Sequence, residues 1–324
     1  MSAPTVISTF AGCGGSSLGY QWAGYDERLA VEWDDNAVET FRMNFPDVPV
    51  YRGDIGKLAV DKALRLAGLR PGELDVLDGS PPCQGFSIAG KRDFGDSRNQ
   101  LFKEYVRLLQ GLRPKVFVME NVSGMVKGKM KIIFAEIMRE LKASGYRVKA
   151  RLLNAMCFGV PQSRERMIFI GVREDLGIEP SHPVGNRKKI PFRDVCSDLR
   201  GNGESDRMLP DIVLRVAERQ PQKWSTDLKI FKSIKANCAS AISLQWTLWD
   251  RICGTLVKTE TFIAGIVHPD RERYLSLGEY KRLGTFPDHF MFTDRKRGVS
   301  RIGNSVPPLF MKAIAEHIRL NILS

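Results

Sequence analysis

From Thr5 to about Gly171 the chain alternates short apolar runs with longer stretches whose apolar residues recur at helical spacing. Residues 6–10 read as a first strand, 29–32 as a second and 74–77 as a later, central one, with 116–119 and 167–172 continuing the series. Between them, residues 35–44, 100–112 and 132–144 have the period of amphipathic helices. Such alternation predicts an α/β fold with a doubly wound, parallel sheet. Ligands of these sheets sit beyond the carboxyl ends of the strands. Phe10, Glu32, Cys83 and Glu120 are all expected there.

After Val172 the pattern breaks up. Pro180, Pro183, Pro191, Pro210 and Pro221 interrupt the chain, Gly201, Asn202 and Gly203 mark a turn, and a short β-prone piece covers residues 264–267 among basic residues and Trp224, Trp246 and Trp249. This reads as a smaller, mostly irregular or β domain inserted in the first. The expected organisation is a main domain over residues 1–184, the smaller domain over 185–297, and a segment from 298 to 324 that returns to complete the first, with a helix over 309–323.

Composition narrows the class. A chain of 324 residues with 43% hydrophobic and 27% charged residues has the make-up of a globular protein with a full core. No apolar run approaches the ~18 residues of a membrane span, and no signal segment opens the chain, so an intracellular, cytoplasmic protein without membrane contact is expected. The surplus of 49 basic over 37 acidic residues, a net charge of +12, favours a polyanionic partner. Six cysteines and four histidines are scattered without the close pairs of a zinc site, so no metal is expected.

Phe10-Ala11-Gly12-Cys13-Gly14-Gly15 follows the first strand and precedes a helix. Glycines there let backbone approach a ligand at a helix N-terminus, although a plain turn has the same look. Glu32, about 20 residues on, stands where a carboxylate accepts hydrogen bonds from ribose hydroxyls. Trp33 beside it would cover an adenine face, and Asp54, in Gly53-Asp54-Ile55, would accept from the adenine amino group with Ile55 against the ring. Pro81 and Pro82 fix the turn that presents Cys83. A thiol needs a lowered pKa to act as a nucleophile, which helix dipoles or arginines supply; otherwise it is an inert buried side chain. Gly85, Gly90 and Gly95 space a polar segment, from Ser87 to Arg98, that reads as a lid.

Taken in order, Phe10 to Gly15, Glu32-Trp33, Gly53-Asp54-Ile55, Pro81-Pro82-Cys83-Gln84, Glu120-Asn121-Val122, Gln162-Ser163-Arg164-Glu165-Arg166 and Gly303-Asn304-Ser305-Val306-Pro307 resemble the DNA (cytosine-5) methyltransferase family. The series spans nearly the whole chain except the middle of the smaller domain. The resemblance implies a Rossmann-like S-adenosylmethionine-dependent methyltransferase sheet and a target-recognition domain. It also implies methyl transfer to C5 of a flipped-out cytosine in a short duplex DNA sequence, through a covalent adduct of Cys83 with C6. By the same resemblance Glu120 would bond the N3 edge and amino group of the ring, Arg166 would hold O2, and Arg164 would support the site or a phosphate. The cofactor would meet Phe10, Ala11, Gly12, Gly14, Gly15, Glu32, Trp33, Asp54, Ile55, Pro82, Leu101, Asn304 and Val306. S-adenosylhomocysteine would leave as product.

DNA contacts are expected from Ser87, Arg98, Gln162, Arg187, Lys188 and Lys189, with Arg193, Lys229, Lys232 and Lys235 as further phosphate or guanine contacts. The implied setting is a monomeric prokaryotic or phage enzyme of restriction and modification, with a cognate endonuclease as the further partner of that role. One stretch departs from the family: Gly278 stands where an arginine usually precedes Glu279, and Gly284 follows Leu283 where glutamine is frequent. Two alternatives stay open, a tRNA cytosine-5 methyltransferase on the same framework and a non-catalytic DNA-binding regulator. Against the first, the chain has no Cys-Phe-Thr tripeptide; against the second, Cys83 and Glu120 are intact. A nicotinamide enzyme is disfavoured because Ser17 fills the third glycine position of the dinucleotide turn.

Overall fold

The computed structural model describes residues 2–82, 97–126, 130–186, 188–199, 243–260, 264–270 and 273–324. Cys83, Ser87, Arg187, Trp224, Lys229, Lys232 and Lys235, and the expected lid, lie outside the described residues, apart from the start of a helix at Ser97.

The first half alternates β1 (Thr5–Thr9), α1 (Gly15–Trp22), β2 (Asp26–Glu32), α2 (Asp35–Asn44), β3 (Val50–Arg52), α3 (Val60–Ala67), β4 (Val76–Gly79) and α4 (Ser97–Leu112). It continues with β5 (Val116–Val122), α5 (Met130–Ala143), β6 (Tyr146–Asn154) and β7 (Glu165–Arg173). Seven strands form one sheet in the order β3-β2-β1-β4-β5-β7-β6. Strands β1 to β5 pair in parallel, as expected. The expected parallel continuation at 167–172 is corrected: β7 runs antiparallel to both β5 and β6. A parallel neighbour needs a crossover of about a dozen residues or more, usually with a helix. The link from β6 to β7 carries only a 3-10 turn at Ala155–Phe158, so the chain folds straight back.

Two apolar layers cover the sheet. On one face Leu64 of α3, Leu108 and Leu109 of α4, and Ile137 and Leu141 of α5 pack on Ile7, Leu77, Phe117 and Phe169. On the other, Tyr20 of α1 meets Phe310, Ile314 and Ile318 of the last helix over Val6, Val76, Val118 and Ile170. That last helix, Pro308–Asn321, opens with proline in its first turn, where a missing N–H costs nothing. The last helix thereby packs with α1 over one face of the sheet.

The smaller region contributes a short helix, α6 (Phe192–Cys196), and a parallel pair, β8 (Ser243–Trp246) with β9 (Ala264–Val267). Two helices follow, α7 (Leu277–Leu283) and α8 (Arg295–Asn304), before α9 (Pro308–Asn321). A third apolar cluster joins Cys13, Leu18, Phe41 and Phe45 of the main domain to Phe192, Cys253, Leu275, Tyr280, Phe290 and Ile302. A boundary at residue 297 cuts through this single core. Gly278 leaves Glu279 well supported: Glu279 is fully buried, caps α7 through Ser276, and takes a two-pronged ion pair from Arg273. Among the described residues no helix is long and apolar enough to cross a membrane.

Candidate active site

The glycine turn after β1 is built by backbone that ordinary side chains resist. Phe10 has φ 56°, Gly12 φ 59° and Gly14 φ 93°, so two of the three left-handed positions are glycine. A Cβ on Gly15 would lie 2.5 Å from the Val306 carbonyl oxygen. The absent side chain is what lets the Ser305-Val306 turn sit against α1, and the Cys13 sulfur lies 3.2 Å from the Ser305 hydroxyl. A Cβ on Gly12, by contrast, would meet nothing within 4 Å. The turn therefore borders open space on its Gly12 side and the C-terminal segment on its Gly15 side.

Glu32 organises this turn. Its Oε2 accepts from the Gly12 N–H at 2.8 Å, and its Oε1 accepts from the N–H groups of Trp33 and Asp34 at 2.8 and 2.9 Å. With 8% exposure the carboxylate is a fixed acceptor at the carboxyl end of β2. Asp54 accepts from the Gly56 N–H through Oδ1 and caps a 3-10 turn begun by buried Ile55. Ile55 belongs to one apolar cluster on which Phe10 and Leu101 pack, and Trp33, next to Glu32 in the chain, stands 76% exposed. Asn304 and Pro82 are exposed and Val306 is buried.

This donor set fits the nucleoside part of S-adenosylmethionine. A fixed carboxylate suits two ribose hydroxyls, and an apolar edge next to a second carboxylate suits an aminopurine ring.

Two strands further along, Glu120 on β5 and Arg166 on β7 face each other. Their pairing follows from the antiparallel register, in which Glu120 opposes Ile168 and Val122 opposes Arg166. Arg166 Nε lies 2.6 Å from Glu120 Oε1, with side chains 14% and 12% exposed, and its Nη1 donates to the Glu165 carbonyl. Asn121, buried between them and the preceding turn, donates from Nδ2 to the Pro81 carbonyl at 3.0 Å. The turn that leads into Cys83 is thereby tied to the strand that carries Glu120.

Arg164 and Gln162 are both enclosed. Arg164 is 2% exposed and donates from Nη2 to the Gly303 carbonyl at 3.0 Å and from Nη1 to the Leu256 carbonyl at 3.3 Å. Burial first, then the neighbouring Arg166 cation, pulls its pKa down to about 9, which leaves it charged at neutral pH. It is a joint between β7 and the returning segment, and its remaining donor, Nε, is buried without a hydrogen-bond partner. Gln162, 1% exposed, accepts from the Leu256 N–H and donates to the Leu283 carbonyl. Both ends of its amide are used internally. Lys188 and Lys189 are exposed, and Lys189 lines a cleft of about 590 Å³ with Pro191, Asp250, Arg251 and Ile252. Arg193 pairs with Asp250 and lies over the Trp249 ring. The backbone of α4 places Arg98 in its first turn.

Two site residues escaped the sequence. Asn121 was visible only as part of a motif, and Asn154 not at all. Asn154 accepts from the Arg164 and Met156 N–H groups and donates to the Ser163 hydroxyl, which shapes the approach to Arg166. An asparagine directly before a short helical turn is the capping signal that marks it. Among the described residues no three His, Cys, Asp or Glu side chains are grouped to hold a metal ion.

A model of C-5 cytosine-specific DNA methylases matches residues 4–320. The chain is 35% identical to the type II methyltransferase M1.HphI of Haemophilus parahaemolyticus over 97% of its own length and 86% of that protein. It is 32% identical to the type II methyltransferase M.XorII of Xanthomonas oryzae pv. oryzae over 98% of its own length and 85% of the relative. A crystal structure of an Escherichia coli prophage protein, described as a DNA modification methyltransferase, superposes with a TM-score of 0.77 at 25% identity, covering 99% of this chain and 100% of that one. With its seven-stranded sheet, its glycine turn and its facing Glu120 and Arg166, the chain belongs to the C-5 cytosine-specific DNA methylase family, whose members use S-adenosylmethionine, and is a DNA (cytosine-5) methyltransferase.

Proposed function

We propose that the enzyme modifies one short duplex sequence as the methylating half of a type II restriction and modification pair, as the names of its relatives describe for them. The observation that carries the chemical reading is the Glu120–Arg166 pair beside the tied Pro81-Pro82 turn. Cys83 adds to C6 of a cytosine turned out of the helix; the C5=C6 pair shifts into C4–C5 and the C4=N3 pair onto N3, which takes up a proton with Glu120 as its hydrogen-bond partner. Arg166, already oriented by Glu120, reaches the O2 edge. Arg164 fixes Gly303 so that Asn304 and Val306 stay beside the glycine turn. S-adenosylmethionine supplies an electrophilic methyl group on its sulfonium, for which Glu32, Asp54 and the Phe10, Ile55 and Leu101 edge provide the nucleoside site. Loss of the C5 proton and release of Cys83 complete the exchange.

The same reading places target recognition in residues 185–297, with Lys188, Lys189 and Arg193 on phosphates and the enzyme acting as a monomer. Supporting it are the net charge of +12 and the exposure of these cations. The names of the matched relatives favour DNA over tRNA as substrate. The test is cytosine-methylation sequencing of DNA from a methylation-free host expressing the protein, beside strains with Cys83→Ala and Glu120→Gln. One methylated motif that is absent with Cys83→Ala supports the reading. Unmodified DNA with modified tRNA would overturn the substrate, and persistent methylation by Cys83→Ala would overturn the nucleophile.

A further inference from the structure

Behind the sheet end that carries Glu120 stand two carboxyl groups without a part in the steps above. Asp78, on β4, is 4% exposed, and Glu27, on β2, is partly buried. Strand β1 lies between them, pairing Val6 with Glu27 on one side and Ser8 with Asp78 on the other. Both acids face α1. Tyr20 donates its hydroxyl to Asp78 Oδ1 at 3.4 Å, and Ser17 donates to Glu27 Oε1 at 2.9 Å. Among the described residues neither acid has a lysine or arginine within ion-pair distance, and neither has a further partner of that kind. Groups that bear on Asp78 are Tyr20 and Ser16 from α1, Glu27 from β2, Glu120 from β5 and, from α4, Tyr105. None of them is a cation.

Two carboxylates enclosed near each other without a counter-charge do not both ionise at neutral pH. Burial, reinforced by Glu27, pushes Asp78 up to about 8, and burial lifts Glu27 to about 7. The register extends this to the reaction site. Asp78 opposes Val118, so Glu120, two residues on, projects from the same face one step nearer the strand ends. There it is bound to Arg166. An ionised Asp78 would set a second negative charge against that pair.

We propose that Asp78 is a positioning residue, kept as the neutral acid by its enclosure with Glu27, so that Glu120 is the one carboxylate beside Arg166, and that loss of the Asp78 proton to solvent sets the alkaline limit of methyl transfer. The inference rests on the role given above to Glu120. It requires no other group to move. Ionisation of the Cys83 thiol would raise the rate with pH, so a falling limb has a different source.

Single-turnover methyl transfer, measured from pH 6.5 to 9.5 with DNA and cofactor saturating, tests it. For a group titrating near 8 whose neutral form alone is competent, the wild-type rate falls about tenfold from its plateau by pH 9. Asp78→Asn cannot ionise and should hold its neutral-pH rate through pH 9. An unchanged alkaline limb in a folded Asp78→Asn enzyme overturns the proposal. Should that variant fail to fold, Tyr20→Phe removes the hydroxyl that favours the charged form of Asp78, and the limb should move to higher pH. A limb that stays in place with Tyr20→Phe overturns it equally. Glu120→Gln, run alongside, separates the two claims: an undiminished rate there removes Glu120 from the mechanism, while a slowed Glu120→Gln beside an unmoved Asp78→Asn limb removes only Asp78.

Discussion

Replacing Arg164 by leucine is the sharpest test of the joint that closes the cofactor side. Two effects oppose each other. The guanidinium is nearly fully enclosed, and the fall of its pKa to about 9 shows that burial disfavours its charge, so its removal recovers desolvation free energy. Leucine, however, has no donor for the carbonyls of Gly303 and Leu256, which now accept from Nη2 and Nη1. A buried acceptor left unpaired costs about 1–3 kcal/mol, so two cost roughly 4, and with about 1 kcal/mol recovered the net loss is about 3 kcal/mol. Unfolding entropy of about 2.1 cal/mol/K per residue over 324 residues is about 0.7 kcal/mol/K, so the melting temperature should fall by about 4 °C. Differential scanning fluorimetry without ligand reads this directly. Because Gly303 precedes Asn304, the variant should also bind S-adenosylhomocysteine more weakly, seen as a smaller ligand-induced rise in melting temperature. Arg164→Lys should fall between, since one ammonium replaces a fork that reaches two carbonyls. A shift below 1 °C for Arg164→Leu, with ligand stabilisation intact, would refute the reasoning.

Three further outcomes are expected. Glu32→Ala leaves the N–H groups of Gly12, Trp33 and Asp34 without their acceptor, so stabilisation by S-adenosylhomocysteine should vanish while Glu32→Gln keeps part of it; full stabilisation of the alanine variant would remove Glu32 from the nucleoside site. DNA affinity should drop steeply with salt, and Lys188→Ala and Lys189→Ala should each lower the log–log slope by about 1; slopes identical to wild type would take both lysines off the phosphates. Asp78 keeps its proton in the folded state to about pH 8, whereas the unfolded chain loses it near 3.9. Its contribution is therefore fully present below about pH 4 and is lost as pH rises to 8, so the melting temperature of Asp78→Asn relative to wild type should climb across that window and level off above it.

The outline of this fold was legible because buried parallel strands carry an unmistakable apolar run between helices of clear period. The helix at Asp35–Asn44 emerged with the bounds expected from its spacing, helped by Asp34 as a capping acid. What was missed lacks such contrast. Strand β6 reads Tyr-Arg-Val-Lys-Ala-Arg-Leu-Leu-Asn: it is an edge strand that alternates apolar and charged residues, with Arg147 and Lys149 paired to Glu179, and so lacks the unbroken apolar run that marks the parallel strands. Helix α3 spans only eight residues, Val60–Ala67, about two turns, too short a window for its period to stand out. The strand direction of β7 depended on a loop length, which periodicity does not report. In the site, the motifs located Glu32, Glu120 and Arg166 but not who holds them, because hydrogen bonds to backbone leave no pattern in a sequence.

That difference bears on how the arginines were read. Arg164 and Arg166 stand two apart in one motif, and alternation along β7 would place them on one face with similar exposure. Arg164 instead precedes the strand, which begins at Glu165, and its backbone N–H is captured by Asn154. The side chain is thereby turned inward toward Gly303, while Arg166, inside the strand, is set opposite Val122 and meets Glu120. Within the pair, Arg166 occupies Glu120 Oε1, and among the described residues Oε2 accepts from nothing. Among the described residues the carboxylate thus presents one engaged and one open oxygen. One arginine joins the start of β7 to the returning segment and the other meets the acid, and the strand boundary between them decides which does which.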